Sequence, residues 1–212
     1  MNECFEKLEA ETEVVKKVNT LLKNEVAANS KAEKARFVEL EREAHRTAEY
    51  VNYESIEISS IPLSICDDEL YDTIMKIIDE LDVCEDISDM DIAACHRRQG
   101  KYTRKQVLVK FTWRGHARQI LNARKNVSNI DWSTIDSRLP STIYINESLS
   151  PYYKKLRYIA KNLWSEKQLY KYWVAGHKVN VIIKEGDEAV KVSHMSDFAK
   201  HIPGTDVTRF FK

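Results

Sequence analysis

Ten lysines and arginines, and no acid, fall between His96 and Lys125, whereas residues 54–94 hold thirteen Asp or Glu against the single Lys76. Within a chain of zero formal net charge, this separation allows two chemistries. A partner with regular phosphates would relieve the mutual repulsion of the basic block and release counterions. Alternatively, the acidic and basic blocks neutralise each other inside the fold. Charge alone leaves both open. The candidate phosphate contacts are Arg97, Arg98, Lys101, Arg104, Lys105 and Lys110 on one hairpin, followed by Arg114, Arg118, Arg124 and Lys125 on the adjoining helix. Tyr102 sits inside the cluster. Trp113 and Trp173 could stack on unpaired bases, although a core position is the commoner place for a tryptophan.

Other chemistries find no matching spacing. There is no G-x-S-x-G, no phosphate-cradling glycine loop and no H-E-x-x-H, and the whole chain has only five glycines. His96, beside two arginines, is a poor metal ligand and reads as a contact or surface residue. Cys4, Cys66, Cys84 and Cys95 never form a C-x-x-C pair, which predicts free thiols in a reducing compartment and no zinc site. The paired carboxylates Asp67 and Asp68 stand where a helix begins, and capping explains them. The expectation is a non-enzyme without cofactor or metal. No stretch reaches the length of an apolar membrane span, and the N-terminus MNECFEKLEAE is acidic, so the sequence predicts a cytoplasmic or nuclear protein with no membrane partner.

The elements that must position the basic block read as α+β. Residues 1–51 contain no Gly or Pro and carry a heptad seam of Phe5, Leu8, Thr12, Val15, Asn19, Leu22, Val26 and Asn29. The seam resumes, shifted by a stutter, at Phe37, Leu40, Ala44, Thr47 and Val51. This predicts a self-associating coiled coil, dimer or trimer, whose seam asparagines restrict register; the other reading is one surface helix on its own domain. Residues 53–149 then read β-α-β-β-α-β, the ferredoxin-like order of an RRM-like domain. Its strands are YESIEISSIP, IAACHRR, KQVLVKFTW and STIYINESL. Its helices start at Asp67 as N-cap and at Gly115, and 126–140 reads as a loose stretch. Residues 150–212 predict a small α+β subdomain: a helix capped by Ser150 with Pro151 in its first turn, a hairpin about Gly176 and His177, a further strand and a closing helical turn.

IEISSIP, DIAACHRRQGKY, VLVKF, YINESLSP and the later W-x-x-G-x-K-V-x-V together resemble the few-polyhedra (FP) protein family of baculoviruses and its retroelement-associated relatives in insects. More distantly, the layout is similar to the first open-reading-frame protein of LINE-type retrotransposons, a trimeric RNA chaperone. The resemblance covers about residues 50–200. It implies a coiled-coil oligomer that binds single-stranded RNA or DNA between the RRM-like sheet and the C-terminal domain. It also adds Lys155 and Arg157, on the helix after YINESLSP, to the candidate contacts. In a virus it implies an influence on the balance of budded and occluded virions. Between coil and first strand the chain reads EYVNYESIE, with Tyr50 kept and the arginines of the relatives absent. VLVKF offers only Phe111 of the paired aromatics found in a standard RRM third strand.

Two functions stay open on these residues. One is an oligomeric single-strand binder of chaperone type. The other is a structural or regulatory coiled-coil interaction protein, with viral or host protein partners and incidental nucleic-acid binding. A hydrolase or nuclease is a distant third.

Overall fold

The computed structural model describes the backbone except at residues 1, 82, 84–86, 101–104, 125–126, 128–129, 205 and 212, and the side chains except also at 2–11, 208 and 211. The chain parts into two compact units, residues 1–44 and 45–212. The first unit lies within one helix, α1 (Asn2–Tyr50). Its described seam residues Val15, Leu22, Val26 and Leu40 are exposed, as are Val14, Val18, Leu21 and Phe37. Asn19 is exposed as well, and the Leu8 side chain lies outside the described residues.

The second unit mixes helix and antiparallel sheet. After the end of α1 and a single 3-10 turn at Val51–Glu54, the elements are β1 (Ser55–Ser59), α2 (Asp67–Asp79), β2 (Ile92–Arg97), β3 (Val107–Phe111), α3 (Arg114–Ala123) and β4 (Tyr144–Glu147). The strands pair antiparallel in the order β2-β3-β1-β4. Each helix therefore carries the chain across one intervening strand: β1–α2–β2 straddles β3, and β3–α3–β4 straddles β1. Every strand is shorter than its alternating sequence pattern, because the flanking residues leave the ladder for turns.

Period-two alternation assigns the faces. Ile56, Ile58, Val107, Val109 and Phe111 point into a core with the α2 stripe Leu70, Ile74, Ile77 and Ile78, all nearly inaccessible. Burial of each such side chain contributes about 1.5–3 kcal/mol. The expected N-cap of α2 is corrected by one residue. Cys66 is the N-cap and Asp67 the first helical residue; the Cys66 N–H donates to Glu69 Oε2 at 3.2 Å. The stretch 126–140 is more than a connection. Trp132, on a 3-10 turn at Trp132–Thr134, is fully buried, and Leu139 joins it in the same core.

A second core belongs to the C-terminal part. There, α4 (Pro151–Ser165) packs on a three-stranded meander, β5 (Lys171–Ala175), β6 (Lys178–Ile182) and β7 (Val190–Val192), followed by α5 (Met195–His201). The α4 start matches its sequence signal, with Ser150 Oγ accepting the Tyr153 N–H and Pro151 in the first turn. Gly176 and His177 have φ of +59° and +58°. Positive φ at both positions is what a type I′ hairpin turn requires, since its twist matches that of the flanking strands. Among the described residues, no helix is long and apolar enough to cross a membrane.

Candidate nucleic-acid interface

The basic block is divided by strand parity, and its members have different fates. Arg97 pairs with Val107 and so shares the core side of the sheet. Its guanidinium reaches the carbonyls of Ile61 (3.1 Å), Pro62 (2.8 Å) and Ile65 (2.7 Å), while its Nε lies 3.2 Å from Asp67 Oδ1. The side chain is only 11% exposed. Arg97 is therefore corrected from a phosphate contact to a clamp on the β1–α2 connection, because the acceptors it needs are already supplied by the fold.

Arg98 takes the opposite, open face of the sheet. Its Nε lies 2.8 Å from Glu57 Oε2, and Lys154 of α4 reaches the same oxygen at 2.6 Å. Glu57 is 6% exposed, so two cations close over one buried carboxylate at the centre of β1. Burial pulls the Lys154 ammonium below the ordinary lysine range, while the Glu57 carboxylate opposes that shift. Arg98, 28% exposed, is thus engaged in an ion pair with Glu57. On the same face β4 carries the exposed Tyr144 opposite Ser59, whereas Phe111 points into the core.

Lys105 is exposed. Lys110 is about half exposed and lies 3.8 Å from Glu54. Lys101 and Arg104, with Tyr102 and Lys125, lie outside the described residues.

What the structure does bring together is on α3 and α4. Helix α3 buries His116, Ala117 and Ile120. Spacing of four then places Arg114, Arg118 and Asn122 on another face. That face lines an open cavity of about 730 Å³ whose other wall includes Tyr53, Glu147, Gly176 and His177. Glu147 also borders a second cavity of about 270 Å³, lined by Arg124, Asn146, Arg157, Tyr172 and Trp173. Arg118 and Arg157 are exposed, and Arg114 donates to the Tyr50 hydroxyl at 3.3 Å. Lys155, on α4, is exposed but lines neither cavity. Trp113, expected in the core, is instead 53% exposed on the rim of the first cavity, while Trp173 is half-buried.

The acid shared by the two cavities is engaged. Glu147 Oε1 accepts the Gly176 N–H at 3.0 Å, and Oε2 accepts the His177 N–H. Two consecutive N–H groups of a tight turn thus grip one carboxylate, which offsets its charge and leaves the arginines of the walls in excess. Behind them, His177 Nδ1 lies 3.2 Å from Glu49 Oε1 and 3.1 Å from the Ser148 carbonyl. Both neighbours are acceptors, so Nδ1 carries its hydrogen. The Tyr53 ring rests 4.4 Å from that imidazole. Burial, with the nearby Glu49 carboxylate, pushes the Tyr53 hydroxyl above its usual range, so it remains a neutral donor at pH 7.

Sequence inspection missed Tyr53, Glu49 and Glu147. Only Tyr53 had a signal, as an aromatic immediately before an alternating strand. Among the described residues, no three His, Cys, Asp or Glu side chains gather as a metal site would require. No protein-family model matches the chain, and no curated protein matches it.

Proposed function

We propose that this chain is a non-enzymatic, self-associating protein that binds single-stranded nucleic acid along the α3–α4 cavities of its second unit. The observation that carries this reading is the convergence of Arg114, Arg118, Arg124 and Arg157 on two cavities joined at Glu147, with Trp113, Tyr172 and Trp173 among the lining side chains. Cations with interleaved aromatics suit a flexible strand, whose phosphates and unpaired bases are reached together. The strand order β2-β3-β1-β4 supports an RRM-like reading of residues 53–149. The blocked centre of its sheet, under Arg98 and Lys154, moves binding off the sheet face and onto α3. Exposed Val15, Leu22, Val26 and Leu40 support assembly through the α1 seam. The resemblance to the FP family extends the proposal, for a viral chain, to the balance of budded and occluded virions.

A second reading is favoured by one specific observation. Arg97 and Arg98, the centre of the sequence cluster, are consumed inside the fold. On that reading the chain is a structural or regulatory coiled-coil protein with protein partners. Light scattering of the full chain, with and without a short single-stranded oligonucleotide, separates the two. Single-strand binding predicts an oligomer whose mass rises by that of the oligonucleotide. An oligomer unchanged by a tenfold excess of oligonucleotide favours the interaction protein.

A further inference from the structure

Trp113 is an exposed indole with an unusual seat. It is the residue before α3, and its six-membered ring lies against Gly115: a Cβ built on Gly115 would fall 2.2 Å from ring carbons of Trp113. No real Cβ approaches another carbon so closely, so the ring occupies the space that any side chain at 115 would need. The His116 imidazole meets the indole edge-on, with ring centroids 5.1 Å apart and planes at 87°. The indole is thus held on one side by backbone and braced by a neighbouring ring, yet 53% of the residue remains exposed.

The surroundings name the occupant. Arg114 and Arg118 stand on the same helix and line the same cavity, whose volume of about 730 Å³ lies in the range of small-ligand sites. An aromatic plane within reach of two guanidinium groups matches a nucleotide: a flat base for the indole, a phosphate for the cations. We propose that Trp113 is a base-stacking platform, preset by Gly115, on which one unpaired base of the bound strand rests while the adjoining phosphates meet Arg114 and Arg118. This deepens the single-strand reading above and rests on it. It assigns the stacking contact to the residue before α3 rather than to the sheet, where Phe111 is buried and Glu57 is covered.

The test compares two probes of equal length and charge, oligothymidylate and an abasic oligonucleotide of the same phosphate number, on the full chain. The wild type binds the thymidylate probe more tightly. Trp113→Ala loses about tenfold for thymidylate, almost nothing for the abasic probe, and keeps the salt dependence of the wild type; Trp113→Phe recovers most of the loss. Gly115→Ala is the sharper variant. Alanine favours the helical backbone, so thermal stability holds, while the displaced ring gives the same base-specific loss with the tryptophan still present. Equal weakening of both probes by Trp113→Ala, or Gly115→Ala with unaltered thymidylate affinity, overturns the stacking assignment and leaves phosphate binding intact. Absence of wild-type binding to either probe overturns the single-strand reading itself, and the stacking proposal with it.

Discussion

The carboxylate of Glu49, 1% exposed, accepts the backbone N–H of Ser150 at 2.7 Å. This single contact ties the last turn of α1 to the start of α4, and Glu49 reaches His177 through its other oxygen. Its removal leaves a buried N–H without its acceptor and takes one of two acceptors from the buried His177 imidazole.

The boundary of the folding unit follows from that residue. Deleting residues 1–44 should leave a folded monomer, since the second unit keeps both of its cores and loses the α1 seam. In the full chain, Glu49→Ala should lower unfolding stability by about 2–4 kcal/mol, in proportion to the buried partners it strands. Sedimentation of the deletion and urea denaturation of the point variant check the two outcomes. A deletion that still sediments as the parent oligomer would place assembly outside α1.

Arg97→Ala should destabilise rather than weaken binding. The guanidinium satisfies three carbonyls at a part-buried site and also pairs with the exposed Asp67 carboxylate. A loss of about 3 kcal/mol is expected from groups left unpaired. The salt dependence of oligonucleotide affinity should stay that of the wild type. A shallower salt slope with unaltered urea midpoint would return Arg97 to the phosphate contacts.

Acid should loosen the β1–α2 and 126–140 connections through Arg138. Its guanidinium bridges Glu69 and Asp136, each at 2.8 Å, and these bonds hold both carboxyls at about 2. A carboxyl whose folded pKa is depressed adds stability above its unfolded value, near 4, and that stability is lost as pH falls toward 2. Arg138→Ala should therefore melt lower than the wild type at pH 7, with the gap narrowing between pH 5 and pH 2. Both groups are solvent-accessible, so the gap is small. Melting curves across that pH range provide the check, and a constant gap would mean that the bridge is not what acid breaks.

The helices and strands of the second unit were legible because their patterns are periodic and their caps local: the α2 stripe, the Ser150–Pro151 start and the Gly176–His177 turn each carry their signal within a few residues. The fate of the arginines was not. Arg97 and Arg98 are adjacent and chemically alike, and one step of strand parity sends the first to the carbonyls of the β1–α2 connection and the second to Glu57. Their partners lie 30 or more positions away, a distance over which local pattern is silent. Trp132 was lost for the related reason that a 3-10 turn has too few residues to show a period. Trp113 reads as core by residue type, and only its contact with Gly115, two positions on, explains its exposure.

The central claim is that phosphates are bound by the α3 and α4 arginines and not by Arg97 and Arg98 at the end of β2. It is tested most directly by the affinity of the full chain for a single-stranded oligonucleotide over a salt series, with wild type and Arg118→Ala/Arg157→Ala compared. Each phosphate neutralised on a single strand adds roughly −0.7 to the slope of log affinity against log salt. The account predicts a double-variant slope shallower by about 1.4, equal weakening on every oligonucleotide sequence and an unchanged melting temperature. Parallel lines for the two proteins would contradict it.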